Sequence, residues 1–158
     1  MIKHFSQYLI IVLVIALSIT FTHAAQSPSS TSSNIEPIDQ IDSLYQALGG
    51  KNGVENITDA LIQRIAKDPT IFPYFAKASV SHFRAGFIKH LCDIADGPCH
   101  YDGDSMVDIH TGMNINEADF NRVVELLVLA LEDVNISYPV QNKLLAKLAF
   151  MRSQVIKI

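Results

Sequence analysis

The chain has 158 residues, which is enough for one domain of ordinary size. Hydrophobic residues make up 49% of it, its formal net charge is −4, and its lysines and arginines are scattered singly. This composition allows a sizeable core and lacks the clustered basic residues that bind polyanions. We therefore expect no nucleic-acid partner.

The first 25 residues have the pattern of a secretory signal peptide. A polar start that contains Lys3 is followed by the apolar stretch 8–21, YLIIVLVIALSITF, and by small residues at Ala24 and Ala25. The stretch has the length of a signal-peptide core and falls short of the roughly 20 residues of a membrane span. We therefore predict that residues 1–25 direct export, to the periplasm or as a secreted protein, and leave no membrane contact after cleavage. The alternative is an uncleaved membrane anchor.

Residues 26–37 are rich in Ser, Thr and Pro and predict a flexible linker, so the folded domain should span residues 38–158. Strand patterns are weak in this domain, whereas apolar residues recur at steps of three and four. The fold class is therefore predicted to be all-α, with at least five helices. In chain order, the predicted elements are a helix at 38–48, a helix at 52–65, a short aromatic segment at 71–75, a helix at 80–94, a short segment at 105–110, a helix at 116–134 and a helix at 137–155.

Capping and breaking residues mark the ends of these elements. Asn52, Asn116 and Ser137 are expected to cap the starts of three helices, because their side chains can accept a backbone N–H. Gly97-Pro98 should end the helix at 80–94.

Two cysteines, Cys92 and Cys99, lie seven residues apart on either side of Gly97-Pro98. In an exported chain this spacing allows a disulfide that closes a small loop. The alternative is a pair of unpaired thiols, one of them buried on a helix.

One of the four histidines that follow the signal peptide has the setting of a ligand. His110 follows Ile109 and precedes Thr111 and Gly112, so it lies at a helix end from which its side chain could reach into a cleft. Aromatic residues are concentrated at 72–87. Taken alone, these features predict only an exported helical domain with a candidate ligand site.

Four segments carry more specific motifs: SLYQALGG (43–50), RIAKDPTIFPYF (64–75), GPCHYDG (97–103) and MVDIHTGMNINEADFNRVV (106–124). Through them the chain resembles a group 1 truncated haemoglobin from Leu44 to about Ile156. The first segment matches that family's S-x-Y-x-x-x-GG, and the last matches M-x-x-x-H-x-G-x-x-I-x-x-x-x-F-x-x-V. The last motif is the most specific of the four. Some members of the family carry the same two cysteines.

The resemblance implies the truncated globin fold, a two-over-two helical sandwich with haem b between the helix pairs. It also implies that Nε2 of His110 binds the iron, while the other ring nitrogen needs a backbone or water acceptor. Phe75 takes the position of the phenylalanine that packs on the haem face. The candidate contacts of the cofactor are Ile62, Phe75, Phe83, Arg84, Phe87, Tyr101, Met106, Ile115, Phe120 and Val123.

The chain departs from the family where a bound gas would lie. Ile62 stands where many members have a tyrosine, and Phe83, Gly86 and Phe87 stand where glutamine or histidine is common. The resemblance therefore implies an apolar pocket without the usual hydrogen-bond donors. One such bond is worth roughly 1.5–3 kcal/mol, so dioxygen should bind about ten- to a hundredfold more weakly than in a family member with that donor. Carbon monoxide, which is less polar when bound, should be affected less.

The roles of four polar side chains near this pocket stay open. His82 or His90 could bind the iron as a sixth ligand, or could be surface or structural residues. Arg84 could reach a haem propionate from the rim or point into solvent. Tyr101 could also approach a propionate.

The function that follows is reversible binding of a diatomic gas, which is dioxygen, nitric oxide or carbon monoxide. An alternative is a haem enzyme, either a nitric oxide dioxygenase or a weak peroxidase, which would need an external electron donor. A third hypothesis is a helical binding module that keeps the globin shape without haem. The sequence leaves the oligomeric state open.

Overall fold

The computed structural model describes residues 43–157. The predicted signal peptide (1–25), the predicted linker (26–37) and the first residues of the predicted domain lie outside this range. The helices of the described part are α1 (Leu44–Ala47), α2 (Gly50–Ile65), α3 (Phe72–Phe75), α4 (Val80–Ile94), α5 (Met106–His110), α6 (Glu117–Asp133) and α7 (Tyr138–Ala149), followed by a short 3₁₀-helix at Arg152–Gln154. The predicted all-α class is confirmed for residues 43–157.

Side chains that accept backbone N–H groups set the starts of four helices. Ser43, Ser79 and Ser105 each accept one backbone N–H of the helix that follows. Asn116 and Asp119 form a reciprocal capping box at the start of α6. The starts of α1, α4, α5 and α6 therefore lie where local hydrogen bonding favours them. The side-chain cap predicted for Ser137 is wrong, because its hydroxyl accepts no backbone N–H at the start of α7.

The predicted start of the second helix is wrong. The helix α2 begins at Gly50, and Asn52 lies within its first turn. The chain turns from α1 into α2 through Gly49, whose φ of +94° suits a residue without a side chain. The close approach continues at Gly53, where a Cβ atom would lie 1.8 Å from the carbonyl oxygen of Leu48.

The core lies where α2 meets α4 and α6. Helix α2 packs against both of these helices, and α1 packs against α2 and α7. The largest fully buried apolar side chains include Ile57 and Leu61 on α2, Leu91 on α4, Leu131 on α6 and Leu144 on α7. Because α2 packs against α1, α4 and α6, it acts as the central helix against which these helices are placed.

The two cysteines form a disulfide. Their sulfur atoms are 1.99 Å apart and their Cα atoms 5.7 Å apart. The bond joins the last turn of α4 to the loop that leads towards α5. Gly97 lies against it so closely that a Cβ atom there would be 2.7 Å from both Sγ of Cys92 and the ring of Tyr45. The backbone N–H of Tyr45 in turn donates to the carbonyl of Ala95, so α1 is fastened to the same end of α4.

Among residues 43–157, no helix combines the length and the apolar character needed to cross a bilayer.

We predict that Gly53→Ala lowers the free energy of unfolding by about 2–3 kcal/mol, because the new methyl group would overlap the backbone of Leu48. Gly86→Ala is the matched control, since Gly86 also lies within a helix but a Cβ atom there meets no atom within 4 Å. The control should leave stability unchanged or raise it by about 0.5–1 kcal/mol. Urea unfolding followed by circular dichroism measures both values, and equal effects of the two substitutions would contradict the account.

Candidate haem site

His110 is the last residue of α5, and its ring is oriented by the backbone of the same helix. Its Nδ1 lies 2.7 Å from the carbonyl oxygen of Met106, one turn earlier. A carbonyl can only accept, so Nδ1 carries the proton and donates. In a neutral imidazole this leaves Nε2 with a free lone pair, which is the form that binds a metal. The backbone acceptor that the resemblance requires is therefore the carbonyl of Met106.

Helix α5 is a five-residue element held at both ends. Ser105 caps its start, and the Thr111 hydroxyl donates to the carbonyl of Val107 at 2.7 Å. The 3₁₀-helix near the C-terminus packs against α5. Just beyond it, the N–H of Lys157 donates to the carbonyl of Ile115. The segment that carries His110 is thus fixed by its own caps and by the last residues of the chain.

Three phenylalanines form an aromatic wall on α3 and α4. The ring centroids of Phe75 and Phe83 are 5.0 Å apart in an edge-to-face arrangement, and those of Phe83 and Phe87 are 5.4 Å apart and nearly stacked. All three rings are half-buried and rest on the core. Gly86 lies on the same helix with open space around its Cβ position. The wall therefore offers apolar aromatic surface, with room beside it, to a flat apolar ligand.

The other predicted apolar contacts also lie at half-buried or buried positions. Ile115 is buried, while Ile62, Met106, Phe120 and Val123 are half-buried. Val123 rests on the same core as the aromatic wall. A histidine whose Nδ1 donates to a backbone carbonyl and a set of partly covered apolar side chains together suit the chemistry of haem.

Arg84 already has a partner. Its guanidinium donates to both carboxylate oxygens of Asp59 on α2, at 2.6 and 2.8 Å. These hydrogen bonds lower the pKa of Asp59 below its ordinary value. A propionate would have to compete with this two-point pair, whose structural role is to join α4 to α2.

Tyr101 is held by the loop around it. Its hydroxyl donates to the carbonyl of Asp104 at 3.0 Å, and its backbone N–H donates to the carboxylate of Asp93 at 3.1 Å. Its ring lies edge-on to the ring of His90, with 5.0 Å between the centroids. The structure therefore brings Tyr101 together with His90, whereas His82 is exposed near the start of α4.

Two buried carboxylates that the sequence did not single out for this role hold the aromatic segment in place. Asp119 accepts a hydrogen bond from the hydroxyl of Tyr74 at 2.8 Å, besides its capping bond from the N–H of Asn116. The bond to Asp119, with some desolvation, raises the pKa of Tyr74, so the phenol stays a donor. Because Tyr74 precedes Phe75, this contact fastens the aromatic wall to the start of α6.

Asp68, the second of these carboxylates, holds the turn between α2 and α3 in place. It accepts the backbone N–H groups of Thr70 and Ile71 and the guanidinium of Arg122 on α6. Burial raises the pKa of Asp68, but these hydrogen bonds outweigh it and bring the pKa below its ordinary value. The sequence Asp68-Pro69-Thr70 is typical of a turn. It does not indicate that Asp68 pairs with Arg122, which lies 54 residues further along the chain.

A separate groove of about 690 Å³ runs between α2 and α6. Its polar lining includes Arg64 and Asp133, which pair with each other at 2.6 Å. None of the predicted haem contacts lines it. Its charged walls do not suit an apolar macrocycle, so the groove is distinct from the candidate haem site.

The chain matches the family model of bacterial-like globins over residues 43–157. The group 1 truncated haemoglobin GlbN of Nostoc sp. (strain MUN 8820) is 31% identical over 87 residues, which cover 55% of this chain and 74% of that protein. The chain is therefore a bacterial-like globin of the group 1 truncated haemoglobin type. A group 1 truncated haemoglobin of Tetrahymena pyriformis is 25% identical over 100 residues, or 63% of this chain and 83% of that protein.

Solved structures show the same fold. The Fe(III) form of the Tetrahymena pyriformis truncated haemoglobin has a TM-score of 0.70 at 23% identity and covers 73% of this chain and 98% of its own. The 2/2 haemoglobin of Synechococcus sp. PCC 7002 has a TM-score of 0.70 at 20% identity, and the match covers 74% of this chain and 100% of that protein. The predicted two-over-two helical sandwich is confirmed by these neighbours. Membership of the globin family implies haem-based binding of a gas.

We predict that Tyr74→Phe in this globin lowers the free energy of unfolding by about 1.5 kcal/mol, because a half-buried hydrogen bond to the carboxylate of Asp119 is lost. Tyr138→Phe is the matched control, since that ring is exposed and its hydroxyl lies 3.5 Å from Glu132. The control should change stability by less than about 0.5 kcal/mol. Chemical denaturation of both variants checks the difference, and a control as damaging as Tyr74→Phe would refute it.

Proposed function

We propose that this globin binds haem b through Nε2 of His110 and uses it to bind a diatomic gas reversibly. The single observation that carries the proposal is the 2.7 Å hydrogen bond from Nδ1 of His110 to the carbonyl of Met106. It fixes both the ring orientation and the tautomer, and leaves Nε2 as the basic nitrogen. Haem would supply the iron to which the gas binds, and the chain would hold it with Nε2 of His110 and an apolar enclosure.

Ile62 and the aromatic wall determine the polarity of the side on which the gas would bind, called here the gas side. Ile62 stands where many relatives have a tyrosine. Ile62, Phe83 and Phe87 carry no polar hydrogen, and Gly86 has no side chain. Arg84, on the same helix, is occupied by Asp59. A gas that gains partial negative charge on binding finds no donor at these four positions, so dioxygen should leave rapidly. Less polar ligands should be held comparatively well.

We further propose that the protein works outside the cytoplasm, in the periplasm or as a secreted protein. The apolar stretch at 8–21 supports export. The disulfide between Cys92 and Cys99 supports it independently, because such bonds persist in oxidising compartments and are rare in reducing ones.

We predict that His110→Gly removes the proposed iron ligand and weakens haem binding at least about tenfold. Added imidazole should enter the space left by the side chain and restore the wild-type absorption spectrum. The matched control is His100→Gly, because His100 is an exposed histidine in the loop between α4 and α5 and should tolerate the same change. An His110→Gly spectrum identical to that of the wild type, without imidazole, would exclude His110 as the ligand.

We predict that Ile62→Tyr slows dioxygen dissociation about ten- to a hundredfold, because it introduces one hydrogen-bond donor on the gas side. Ile62→Phe adds an aromatic ring without the hydroxyl and should leave the rate within about threefold of wild type. Carbon monoxide dissociation should change little in either variant. Stopped-flow ligand replacement gives these rates, and equal dioxygen rates in the two variants would show that the pocket already contains an effective donor.

A further inference from the structure

Among the described residues, one buried side-chain nitrogen or oxygen has no hydrogen-bond partner, and it belongs to His90. The side chain of His90 is buried on α4, and its Nε2 contacts neither a donor nor an acceptor. Buried polar groups in folded proteins are nearly always paired, so an isolated one calls for a partner. His90 has no role in the proposed function as stated above.

The surroundings of His90 do not offer that partner. The nearby hydroxyl of Tyr101 is directed to the carbonyl of Asp104, and Tyr101 meets His90 through its ring. The carboxylate of Asp93 accepts the backbone N–H of Tyr101. Burial lowers the pKa of His90 below its ordinary value despite the charge of Asp93, so the imidazole is neutral at physiological pH and one of its nitrogens can donate.

The position of His90 on α4 indicates where the partner comes from. Phe83, Phe87 and His90 follow one another at steps of four and three, so they lie on one face of the helix. Phe83 and Phe87 belong to the aromatic wall that the proposed function places against haem. His90 therefore continues the same stripe by one further turn.

We infer that His90 is a positioning residue for the cofactor, whose Nε2–H donates to an oxygen atom that arrives with haem. This inference rests on the proposed function. Two sources can supply such an oxygen, which are a haem propionate and the gas bound at the iron. Both present an acceptor, and in both cases His90 becomes satisfied only when the cofactor is in place.

The test compares His90→Phe, which keeps a ring and removes the donor, with His90→Gln, which keeps an amide donor. Both variants are first checked for wild-type helix content and for stoichiometric haem uptake. Haem transfer to excess apomyoglobin is then measured with protohaem and with its dimethyl ester, in which the propionates cannot accept as carboxylates. Dioxygen and carbon monoxide dissociation rates are measured on the same samples.

If the acceptor is a propionate, His90→Phe should lose protohaem about tenfold faster than wild type, as expected for one charge-assisted hydrogen bond. His90→Gln should recover most of the difference, and the dimethyl ester should abolish it. If the acceptor is the bound gas, His90→Phe should instead release dioxygen about tenfold faster while carbon monoxide release stays unchanged. In either case the ¹⁵N resonance of His90 Nε2 should shift when haem and carbon monoxide bind.

Two results would overturn the inference. The first is a His90→Phe variant with wild-type haem loss and gas release, together with an unshifted His90 resonance. The second is a six-coordinate ferrous wild type that becomes five-coordinate in His90→Phe, which would make His90 an iron ligand. A wild type that takes up no haem would overturn the proposed function as well, whereas the other two results would leave it intact.

Discussion

The hydrogen bond between Nδ1 of His110 and the carbonyl of Met106 is the interaction on which the functional account depends. An imidazole at the end of a short helix can rotate and exchange its proton between two nitrogens, and either freedom would weaken it as an axial ligand. A bond of 2.7 Å to the backbone of the same helix removes both freedoms. Helix α5 is only five residues long, so it depends on its capping serine and on the packed C-terminal 3₁₀-helix to hold this geometry.

The side that we propose for the gas is built on a different principle. Its shape comes from the edge-to-face and stacked contacts of Phe75, Phe83 and Phe87, and its position comes from buried carboxylates outside the pocket. Asp119 holds Tyr74, and Asp68 holds the turn before α3 while binding Arg122 on α6. These carboxylates thus hold the surrounding segments in place without contributing a polar group to the aromatic wall. His90 is the one exception, because it is a polar residue on the apolar stripe.

Local patterns in the sequence predicted most of the fold. Helical periodicity placed α4 and α6 close to their observed bounds, whereas α7 ends at Ala149, six residues before the predicted end. Asn116 was recognisable as a cap because its hydrogen bonds reach only three residues along the chain. The start of α2 was misplaced because its N-cap is Gly49 in a left-handed conformation, with no side-chain hydrogen bond that a capping pattern could indicate. The pairs Arg84–Asp59 and Arg122–Asp68 could not be foreseen either, since they join residues 25 and 54 positions apart. For the site, the motif around His110 pointed to the histidine, but only the folded chain shows the acceptor of its Nδ1 and the unpaired state of His90.

The absorption spectrum of the purified protein with haem tests the central claim most directly, in the ferrous state and again after carbon monoxide is added. The account predicts an intense Soret band, a five-coordinate ferrous form and a clear shift with carbon monoxide, because His110 would be the one protein ligand of the iron and the proposed gas side is apolar. The absence of a Soret band would contradict it, and would mean that the globin fold is kept here without its cofactor.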